Sequence, residues 1–455
     1  MKTFKRILSL VLAATMLFVF VGCGGDDSKS KDDPKNKFSK EGRDITLYFA
    51  AWFNRDLQQH LANEFMETHP DVYVELVEID QNSWGSGLQN LASTGDLPDA
   101  FCTFDLAGAT ANGWTADITE YYNADPTTAK ISDGLKVAGV YNGKRYGLVT
   151  EQYPCLVLIN KTLFEENNLA MPGYDWTIDQ MYSLATKLTK ANEHQYGLGD
   201  NVLSYLRDVY NAAYTTNTWQ YGYDPERGVF DTEYLAKGYS KGLELINNKI
   251  AGVISAEDME AWYGDADIWL PKTGKQAMQL DWYWTIQTVK AKEYEDLGQE
   301  WYAYPFPVGT SGRVQTIVNV GCVSETSDHP ELAYELLKFM TFGEEGWKAR
   351  YEWFKANNEL PASVPIVSDD AVLDLVKELT PGEDYAAVYD SISRSVADIK
   401  KWVPGLVDYE AWMSSQDMWT QLRNSSMKVE DVADQMEQKL NYYYTECMNK
   451  IKARG

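Results

Sequence analysis

The chain of 455 residues is 44% hydrophobic, which is enough for sizeable cores in two or three domains or in one large two-lobed unit. Its formal net charge of −26 argues against a nucleic-acid partner and against non-specific adhesion to anionic lipid, because both would repel an acidic surface. The five cysteines and four histidines match no zinc or redox spacing, so we expect neither a metal site nor another cofactor.

The chain opens with a basic segment and an apolar run. Three basic side chains among the first six residues precede the run over residues 7–21, and Gly22 and Cys23 follow it. These are the parts of a secretory signal, and the run is shorter than the roughly 20 residues that span a bilayer. A cysteine straight after the cut resembles the lipobox of bacterial lipoproteins, although Phe20 stands where Leu is usual. The pattern predicts a signal peptide over residues 1–22 and a lipid on Cys23.

A polar segment follows the cysteine. Residues 24–43 consist almost wholly of Gly, Asp, Ser, Lys, Asn, Glu and Pro. Such a segment buries too little apolar surface to offset its ordering entropy, and about 20 flexible residues have a root-mean-square reach of about 25 Å. We therefore expect residues 23–43 to form a disordered tether, with the lipid at Cys23 as the single attachment to the membrane.

From Asp44 onward, apolar strands alternate with helical periodicity. The predicted elements are a strand at 44–52, a helix at 57–68, a strand at 72–79, a helix through Leu88 and Leu91, and a strand at 100–104. This order predicts a parallel sheet with crossover helices. No glycine-rich nucleotide motif follows any of these strands.

The pattern changes after residue 140. Asn142-Gly143 between apolar flanks predicts a hairpin, and residues 156–159 predict a short strand that leads into a helix. Helical periodicity dominates from 179 to 357, with strands expected at 276–280 and 316–323. The tail predicts two helices, at 408–424 and 429–452.

Six segments carry a family resemblance when they are taken in order. They are the strand that leads into Ala51-Trp52-Phe53-Asn54, the stretches FMETHPDVYV (65–74) and LASTGDLPDA (91–100), the block from YNGK (141–144) to NK (160–161), GKQAM (274–278) and HPELAYELLKFM (329–340). Together they resemble the type 1 extracellular solute-binding proteins of bacterial ABC importers, the group that contains maltose-binding protein. The resemblance implies an α/β, two-lobed periplasmic-binding-protein-like fold of type II. In that fold each lobe is a sheet flanked by helices, and crossing strands form the hinge.

The resemblance also implies lobe boundaries and a mechanism. Lobe one would comprise residues 44–153 and 305–340, and lobe two residues 154–304 and 341–455, with crossings near 151–153, 304–307 and 342–343. A ligand that contacts both lobes stabilises the closed state through its higher affinity for that state. A membrane permease would then recognise the closed lobes.

Sugar rings need aromatic surfaces for their apolar faces and polar groups for their hydroxyls. The residues that we expect to contact the ligand are Trp52 and Asn54 after the first strand, Glu151, Gln152 and Tyr153 at the first crossing, Asp281, Trp282 and Trp284 in an aromatic cluster, Asn319 before a glycine, and Trp412 on a tail helix. Family members often place a stacking Trp at the position of Trp284, and the usual Gly is replaced here by Trp282. Each candidate has a structural alternative: core packing for the tryptophans, a helix cap for Asn54, and hinge packing at the crossing.

These expectations converge on a binding protein rather than an enzyme. It would be a lipid-anchored monomer at the outer face of the cytoplasmic membrane that captures a carbohydrate, favoured as an oligosaccharide, for an ABC-transporter permease. A non-sugar ligand such as a polyamine, a peptide or a polyol phosphate stays open. A phosphate would need Arg or Lys, which no candidate residue supplies, whereas a cation would suit the acids and aromatics. A secreted glycoside hydrolase, which needs two placed carboxylates, and an adhesive surface protein are further alternatives.

Overall fold

A computed structural model describes residues 36–52 and 54–454 of the chain. The strands are β1 (Ile45–Ala50), β2 (Val72–Leu76), β3 (Ala100–Thr103), β4 (Val140–Tyr141), β5 (Lys144–Arg145), β6 (Leu148–Asn160), β7 (Tyr196–Gly199), β8 (Ala251–Gly252), β9 (Gln276–Trp282), β10 (Trp301–Pro305), β11 (Val314–Val323) and β12 (Ser395–Ala397).

The helices in this part of the chain are α1 (Arg55–Thr68), α2 (Trp84–Thr94), α3 (Leu106–Ala111), α4 (Thr119–Ala124), α5 (Asp133–Lys136), α6 (Lys161–Glu166), α7 (Ile178–Leu188), α8 (Val202–Tyr214), α9 (Glu233–Asn247), α10 (Ala256–Tyr263), α11 (Thr285–Val289), α12 (Lys292–Asp296), α13 (Pro330–Thr341), α14 (Glu344–Asn357), α15 (Asp370–Leu379), α16 (Glu383–Ser391), α17 (Leu406–Ser415), α18 (Met418–Arg423) and α19 (Val429–Ala453). Short 3-10 turns lie at Gln81–Ser83, Pro126–Lys130, Ala191–Glu193, Gln220–Gly222, Leu270–Thr273 and Ile392–Arg394. Within the described ranges, no helix is both long and apolar enough to cross a bilayer.

The leader and Cys23 lie outside the described residues. Residues 36–43, which the sequence analysis assigned to the tether, are described and are packed. Phe38 lies partly buried against the core, and the Arg43 guanidinium sits 4.6 Å from the Phe38 ring. Arg43 also donates hydrogen bonds to the carbonyls of His69 and Val72, so this short stretch is held against α1 and β2.

The first half-sheet contains β2, β1, β3, β11 and residues 148–154 of β6, in that order. β1 pairs in parallel with both β2 and β3, and α1 and α2 form the crossovers, so the predicted parallel sheet is confirmed. Leu61, Phe65 and Met66 on α1 are buried, which is the helical spacing read from the sequence. Both β1 and β3 therefore end at the same edge of the sheet, close to the beginning of α1 and α3.

The second half-sheet is built on residues 155–160 of the same strand β6. There β9 pairs with it on one side and β10 on the other, both antiparallel, and β7 and β8 extend the sheet beyond β9. Every residue from Cys155 to Asn160 is buried. β6 is thus one 13-residue strand shared by two half-sheets, whereas the sequence predicted only its apolar end at 156–159.

The chain passes between the half-sheets at two further places. β10 ends at Pro305 and β11 begins at Val314. Between them, Val308 donates to the Trp176 carbonyl just before α7, and Ser311 donates to the Ala213 carbonyl on α8. α13 and α14 both pack against α1, while α16 packs against β10. The lobe boundaries given above stay a prediction.

Two local predictions have different outcomes. The hairpin is confirmed: β4 and β5 pair antiparallel across Asn142 and Gly143, whose φ values of 52° and 79° are those that a two-residue hairpin needs. The single helix predicted at 408–424 is wrong, because Asp417 adopts a left-handed φ of 50° and separates α17 from α18. The last helix, α19, is confirmed.

Within the described ranges, four cysteines are present, and all are free and buried: Cys102, Cys155, Cys322 and Cys447. Burial raises the pKa of the Cys102 thiol to about 12 and that of Cys447 to about 11. These thiols therefore stay protonated and serve as small apolar side chains, as their apolar sequence context predicts.

Candidate ligand-binding site

A hydrogen-bonded polar group forms where β6 passes from one half-sheet to the other. The Tyr153 hydroxyl donates to Glu151 Oε2 over 3.0 Å, and Asn319 Nδ2 donates to the same oxygen over 2.8 Å. Asn319 Nδ2 also lies 3.2 Å from the Tyr153 hydroxyl oxygen. We call Glu151, Tyr153 and Asn319 the crossing triad. Burial, followed by the charge of Glu151, raises the pKa of Tyr153, so its hydroxyl keeps the proton that it donates.

Strand geometry explains why these three side chains meet. Glu151 and Tyr153 are two residues apart and therefore project from the same face of β6. Asn319 is paired with Glu151 across the ladder, and the register shifts directly after it, between Asn319 and Val320. Such a bulge redirects side chains next to it and is common beside functional sites. Gln152 projects from the opposite face, where its Nε2 donates to the Pro365 carbonyl over 2.6 Å.

A continuous row of aromatic rings begins at the triad. The Tyr153 and Trp284 ring centroids are 5.2 Å apart with an edge-to-face angle of 64°. Trp284 and Trp282 are 6.3 Å apart, and Trp282 and Tyr205 are 5.2 Å apart. We call these four residues the aromatic row. Trp284 and Tyr205 are half-buried, so the row presents ring surface as well as packing against the second core.

Asp281 fixes the far end of the aromatic row. Its Oδ1 accepts a hydrogen bond from the Tyr205 hydroxyl over 2.9 Å and from the Trp282 amide over 2.8 Å. Its Oδ2 accepts from Gln279 Nε2 over 3.2 Å. Burial raises the pKa of the Asp281 carboxyl, although these donors oppose that shift. Asp281 therefore holds Tyr205 and the β9 terminus in place.

The structure brings charged residues to the site that the sequence analysis missed. Arg207 on α8 donates to both carboxylate oxygens of Asp208, over 2.6 Å from Nε and 3.0 Å from Nη2, and Lys400 lies 3.5 Å from Asp208 Oδ2. Burial acts to raise the pKa of Asp208, but the charges of Arg207 and Lys400 hold it at about 2. The Arg207 guanidinium also lies 4.4 Å from the Trp419 ring centroid. A signal for this group existed: Arg207 and Asp208 interrupt the apolar side of a helical pattern.

Two cations, Lys401 and Arg350, lie close enough to Glu151 to be influenced by its charge. Lys401 Nζ donates to the Val318 carbonyl over 2.9 Å, and Asp398 accepts from the Val318 amide over 2.9 Å. Arg350 on α14 donates to the Met340 carbonyl, and its Nε has no hydrogen-bond partner among the described residues. Burial lowers the pKa of both Lys401 and Arg350, and the charge of Glu151 opposes the shift in each. The triad's carboxylate is thus balanced by nearby positive charge.

The remaining candidate residues lie apart from the triad and the row. Trp52 is buried, stacked on Phe104 at 4.2 Å and packed edge-to-face against Trp84 at 5.3 Å. Asn54 caps α1, since its Oδ1 accepts from the Leu57 amide over 3.0 Å. Trp84 in turn donates to the Cys102 carbonyl over 2.9 Å. Ligand contact by these two residues stays a prediction.

Trp412 and Gln152 also lie outside the row. Trp412 is half-buried on α17, 5.9 Å from the Tyr409 ring and with the Lys439 ammonium 5.6 Å away. The same helix reaches the charged group through Glu410, which accepts from the Tyr221 hydroxyl over 2.9 Å. Gln152 is fully buried on the back of β6. Six of the ten predicted ligand contacts are therefore brought together, namely Glu151, Tyr153, Asp281, Trp282, Trp284 and Asn319.

Aromatic faces next to hydrogen-bond donors and acceptors are suited to a polyhydroxylated solute. Two α/β half-sheets that share β6, with polar and aromatic side chains at the crossing, define the class of two-lobed solute-binding folds. The chain belongs to the bacterial extracellular solute-binding protein family, whose model matches residues 50–345. The family and the two-lobed α/β fold expected from the sequence motifs are thereby confirmed.

Solved structures support the same fold. An ABC substrate-binding protein from Listeria monocytogenes, solved in complex with cycloalternan, is 23% identical, with 88% of this chain and 98% of that chain covered and a TM-score of 0.64. The sugar-binding protein MalE from Xanthomonas citri is 14% identical, with 90% and 98% covered and a TM-score of 0.68. At these identities the likeness shows the fold alone.

A sequence relative covers a smaller part. The mannitol-binding protein of Pseudomonas aeruginosa is 26% identical over 194 residues, which are 38% of this chain and 43% of the relative. The match spans less than half of that relative's length, so its ligand is not transferred to this chain by the match.

Proposed function

We propose that this protein is the substrate-binding component of an ABC importer and that it binds a carbohydrate, favoured as an oligosaccharide, without turning it over. The observation that carries the proposal is the continuity of the crossing triad with the aromatic row through Tyr153. Tyr153 belongs to both, so a solute that stacks on Trp284 lies within reach of Glu151 and Asn319. Cycloalternan, bound by the Listeria protein, and mannitol, bound by the Pseudomonas relative, are polyhydroxylated and support the same class.

The charges around the triad favour a sugar over a polyamine. A polyamine site needs uncompensated carboxylates, and Glu151 lies near the cations Lys401 and Arg350. A positive charge on the ligand would be repelled by both Lys401 and Arg350. Hydroxyl groups have no such cost and can both donate to Glu151 and accept from Asn319.

Closure around the ligand would couple binding to transport. We place the hinge at the crossings near 151–153, 304–307 and 342–343, between lobe one (44–153 and 305–340) and lobe two (154–304 and 341–455). The triad takes residues from β6 and β11, whereas the rest of the row comes from β9 and α8. A ligand that contacts both sets has a higher affinity for the closed arrangement and shifts the population towards it. The closed form would then be recognised by the permease.

The binding proposal is tested by thermal unfolding of the purified full-length protein with neutral oligosaccharides, monosaccharides, polyols, polyamines and peptides. A ligand present at 100 times its Kd adds about 2.7 kcal/mol to the unfolding free energy. We expect a shift with a group of glycans that Trp284→Ala removes. Trp262 is the matched control, because it is exposed on α10 and stacks on His194 at 3.7 Å, away from the row; Trp262→Ala should keep the shift.

Each other outcome of the screen has a definite meaning. A shift with polyamines or peptides alone would replace the carbohydrate with another solute. Release of smaller sugars in the same samples would contradict the absence of catalysis. An equal loss of the shift in both tryptophan variants would move the binding site away from the aromatic row.

The anchor is a separate part of the proposal. Cleavage before Cys23 and acylation of its thiol would hold the protein at the outer face of the membrane, next to the permease. Mass spectrometry of the N-terminal peptide from the native host should show a cleaved, diacylglycerol-bearing Cys23. Cys23→Ser should release the protein into the medium, and an uncleaved or unmodified N-terminus in the native chain would contradict this part.

A further inference from the structure

Two arginines beside the start of β11 have no acidic partner within the described part of a chain that contains 67 Asp and Glu. Arg313 precedes β11, and Arg394 precedes β12, which pairs in parallel with β11 from Val314 and Ser395 onward. Arg394 Nη1 donates to the Gly312 carbonyl over 3.2 Å, so the two side chains belong to one local group. Neither guanidinium forms an ion pair with any described residue.

The surroundings of Arg313 contain further polar atoms without partners. Its Nη1 donates to the Thr215 carbonyl over 2.9 Å, and its guanidinium lies over the Trp219 ring at 4.5 Å. Nη2 is buried and has no hydrogen-bond partner among the described residues. The same holds for Trp219 Nε1, Asn211 Oδ1 and Gln315 Oε1. A buried polar atom without a partner is costly, so such a group points to a ligand or to ordered water.

Arg145 shows what a structural arginine looks like in this protein. It is buried over the Tyr122 ring at 3.7 Å and also lacks a carboxylate. However, its Nη1 donates to the Ala138 and Gly147 carbonyls over 3.0 and 3.2 Å, and its Nη2 donates to the Lys136 carbonyl over 2.6 Å. Backbone carbonyls therefore satisfy Arg145, while Arg313 keeps a free donor. Burial alone lowers the pKa of Arg313 to about 10, with no carboxylate to oppose it.

The arginine group lies along the same elements as the aromatic row. Tyr205 and Asn211 are both on α8, six residues or about 9 Å apart along the helix axis. Gln315, Ile317 and Asn319 are spaced two residues apart and therefore lie on the same face of β11. This strand runs from Arg313 to the crossing triad. α8 and β11 contact each other. A ligand that extends from Trp284 along the surface formed by α8 and β11 would reach Arg313.

Resting on the proposed function, we propose that Arg313 and Arg394 bind an anionic group, a carboxylate or a sulfate ester, carried by the saccharide. The planar guanidinium suits both oxyanions because it donates two parallel hydrogen bonds. Trp219 Nε1 is a further donor, while Asn211 Oδ1 and Gln315 Oε1 would accept from the sugar hydroxyls. The site would therefore select acidic over neutral glycans.

The test uses the full-length protein and four probes in titration calorimetry. They are an oligomer of galacturonic acid, the same oligomer with its carboxyls methyl-esterified, a sulfated oligosaccharide, and sodium sulfate alone. We expect the acid oligomer or the sulfated one to bind about tenfold more tightly than the esterified oligomer, since hydrogen bonds to charged groups are stronger than neutral ones. The preference should weaken as salt is added.

Substitutions locate the preference. Arg313→Gln should remove the preference for the acidic glycan while leaving the esterified oligomer nearly unchanged, and Arg394→Gln should reduce it. Arg55→Gln is the charge control, because Arg55 pairs with Glu78 at the exposed end of α1. It removes the same charge far from α8 and should keep the preference.

A stability measurement separates a ligand-binding arginine from a structural one. Without ligand, Arg313→Met should leave Tm unchanged or raise it, because it removes a half-buried cation that has no carboxylate beside it among the described residues. Arg145→Met should lower Tm by several degrees, because three backbone carbonyls lose their donors. A fall in Tm for Arg313→Met equal to that of Arg145→Met would overturn the inference.

The binding outcomes distinguish this inference from the proposed function. If neither the acid oligomer nor the sulfated one binds more tightly than the esterified oligomer, the anionic group is overturned and the carbohydrate importer is kept. Binding of sulfate alone as tightly as either acidic glycan would mean a site for a free anion and would overturn the saccharide. If no saccharide binds, acidic or neutral, this inference and the proposed function both fail.

Discussion

The two halves of β6 differ in character although they form one unbroken strand. Residues 148–154 pair with β11 through a bulge and present Glu151 and Tyr153 to Asn319. Residues 155–160 lie between β9 and β10 with every side chain buried. Backbone hydrogen bonding continues through both halves, so side chains and neighbouring strands make the difference. We infer that changes in the second half alter stability, whereas changes in the first half alter ligand binding.

The largest effect is expected from Leu158→Ala in the second half. Leu158 is fully buried between β9 and β10, so its truncation should lower the unfolding free energy by about 3 kcal/mol. Chemical denaturation measures this loss, and the Kd of the folded protein for its glycan should not change. Leu297→Ala is the control, because Leu297 is 53% exposed. A changed Kd with unchanged stability would break the comparison.

The carboxylate of Asp208 on α8 makes the unfolding free energy depend on pH. The pKa of Asp208 is held at about 2 in the folded protein, against about 3.9 when unfolded. Because the folded pKa is the lower one, Asp208 contributes roughly 2 kcal/mol above about pH 4. This contribution is lost as the pH falls towards 2. Asp208→Asn should therefore be less stable than the native chain at pH 6 by about that amount.

The pH series supplies the control for Asp208. The difference in unfolding free energy between the native chain and Asp208→Asn should shrink as denaturation is repeated from pH 4 down to about pH 2. Other carboxylates titrate in both proteins and cancel in the difference. A gap that stays constant with pH would show that Asp208 acts through packing rather than through the charges of Arg207 and Lys400.

Asn319→Ala sharpens the comparison within the first half. It removes the donor to Glu151 and to the Tyr153 hydroxyl, so we expect about a tenfold weaker Kd, or about 1.4 kcal/mol. Titration with the glycan found in the screen measures it. Asn248→Ala, at the exposed end of α9, should leave the Kd unchanged. A loss of stability without a loss of affinity would assign Asn319 to the fold.

The smallest effect is expected from Gln152→Met, on the back of the same half. The substitution loses the bond to the Pro365 carbonyl but also removes the buried Oε1, which has no partner among the described residues, so stability should change by less than about 1 kcal/mol. Affinity for the glycan should stay the same, because Gln152 points away from the triad. A clear fall in affinity would place the ligand on both faces of β6.

Parts of the fold with a local signal were predicted well. The alternation from β1 to β3 follows from apolar strands separated by helical spacing, and the hairpin follows from Asn142-Gly143. β6 was predicted too short because Glu151 and Gln152 interrupt its apolar pattern. The break between α17 and α18 was missed because a left-handed Asp417 has no strong sequence signal.

The residues of the candidate site also divide into those with a sequence signal and those without one. Glu151 and Tyr153 lie within one family motif, Trp282 and Trp284 follow another, and Asn319 precedes a glycine, so these residues were found. Arg207, Lys400 and Arg313 were missed because the sequence shows their charge but not their neighbours. Lys400 meets Asp208 only through tertiary packing, and Arg313 differs from Arg145 because its buried Nη2 has no hydrogen-bond partner among the described residues.

The sharing of β6 has a consequence for how the chain unfolds. Neither half-sheet has a copy of β6 of its own, because residues 148–154 of the first and residues 155–160 of the second are one continuous strand. Residues 36–454 should therefore melt in one cooperative calorimetric transition, even though a chain of this length commonly unfolds domain by domain. A destabilised second half would then lower the melting temperature of the first by the same amount.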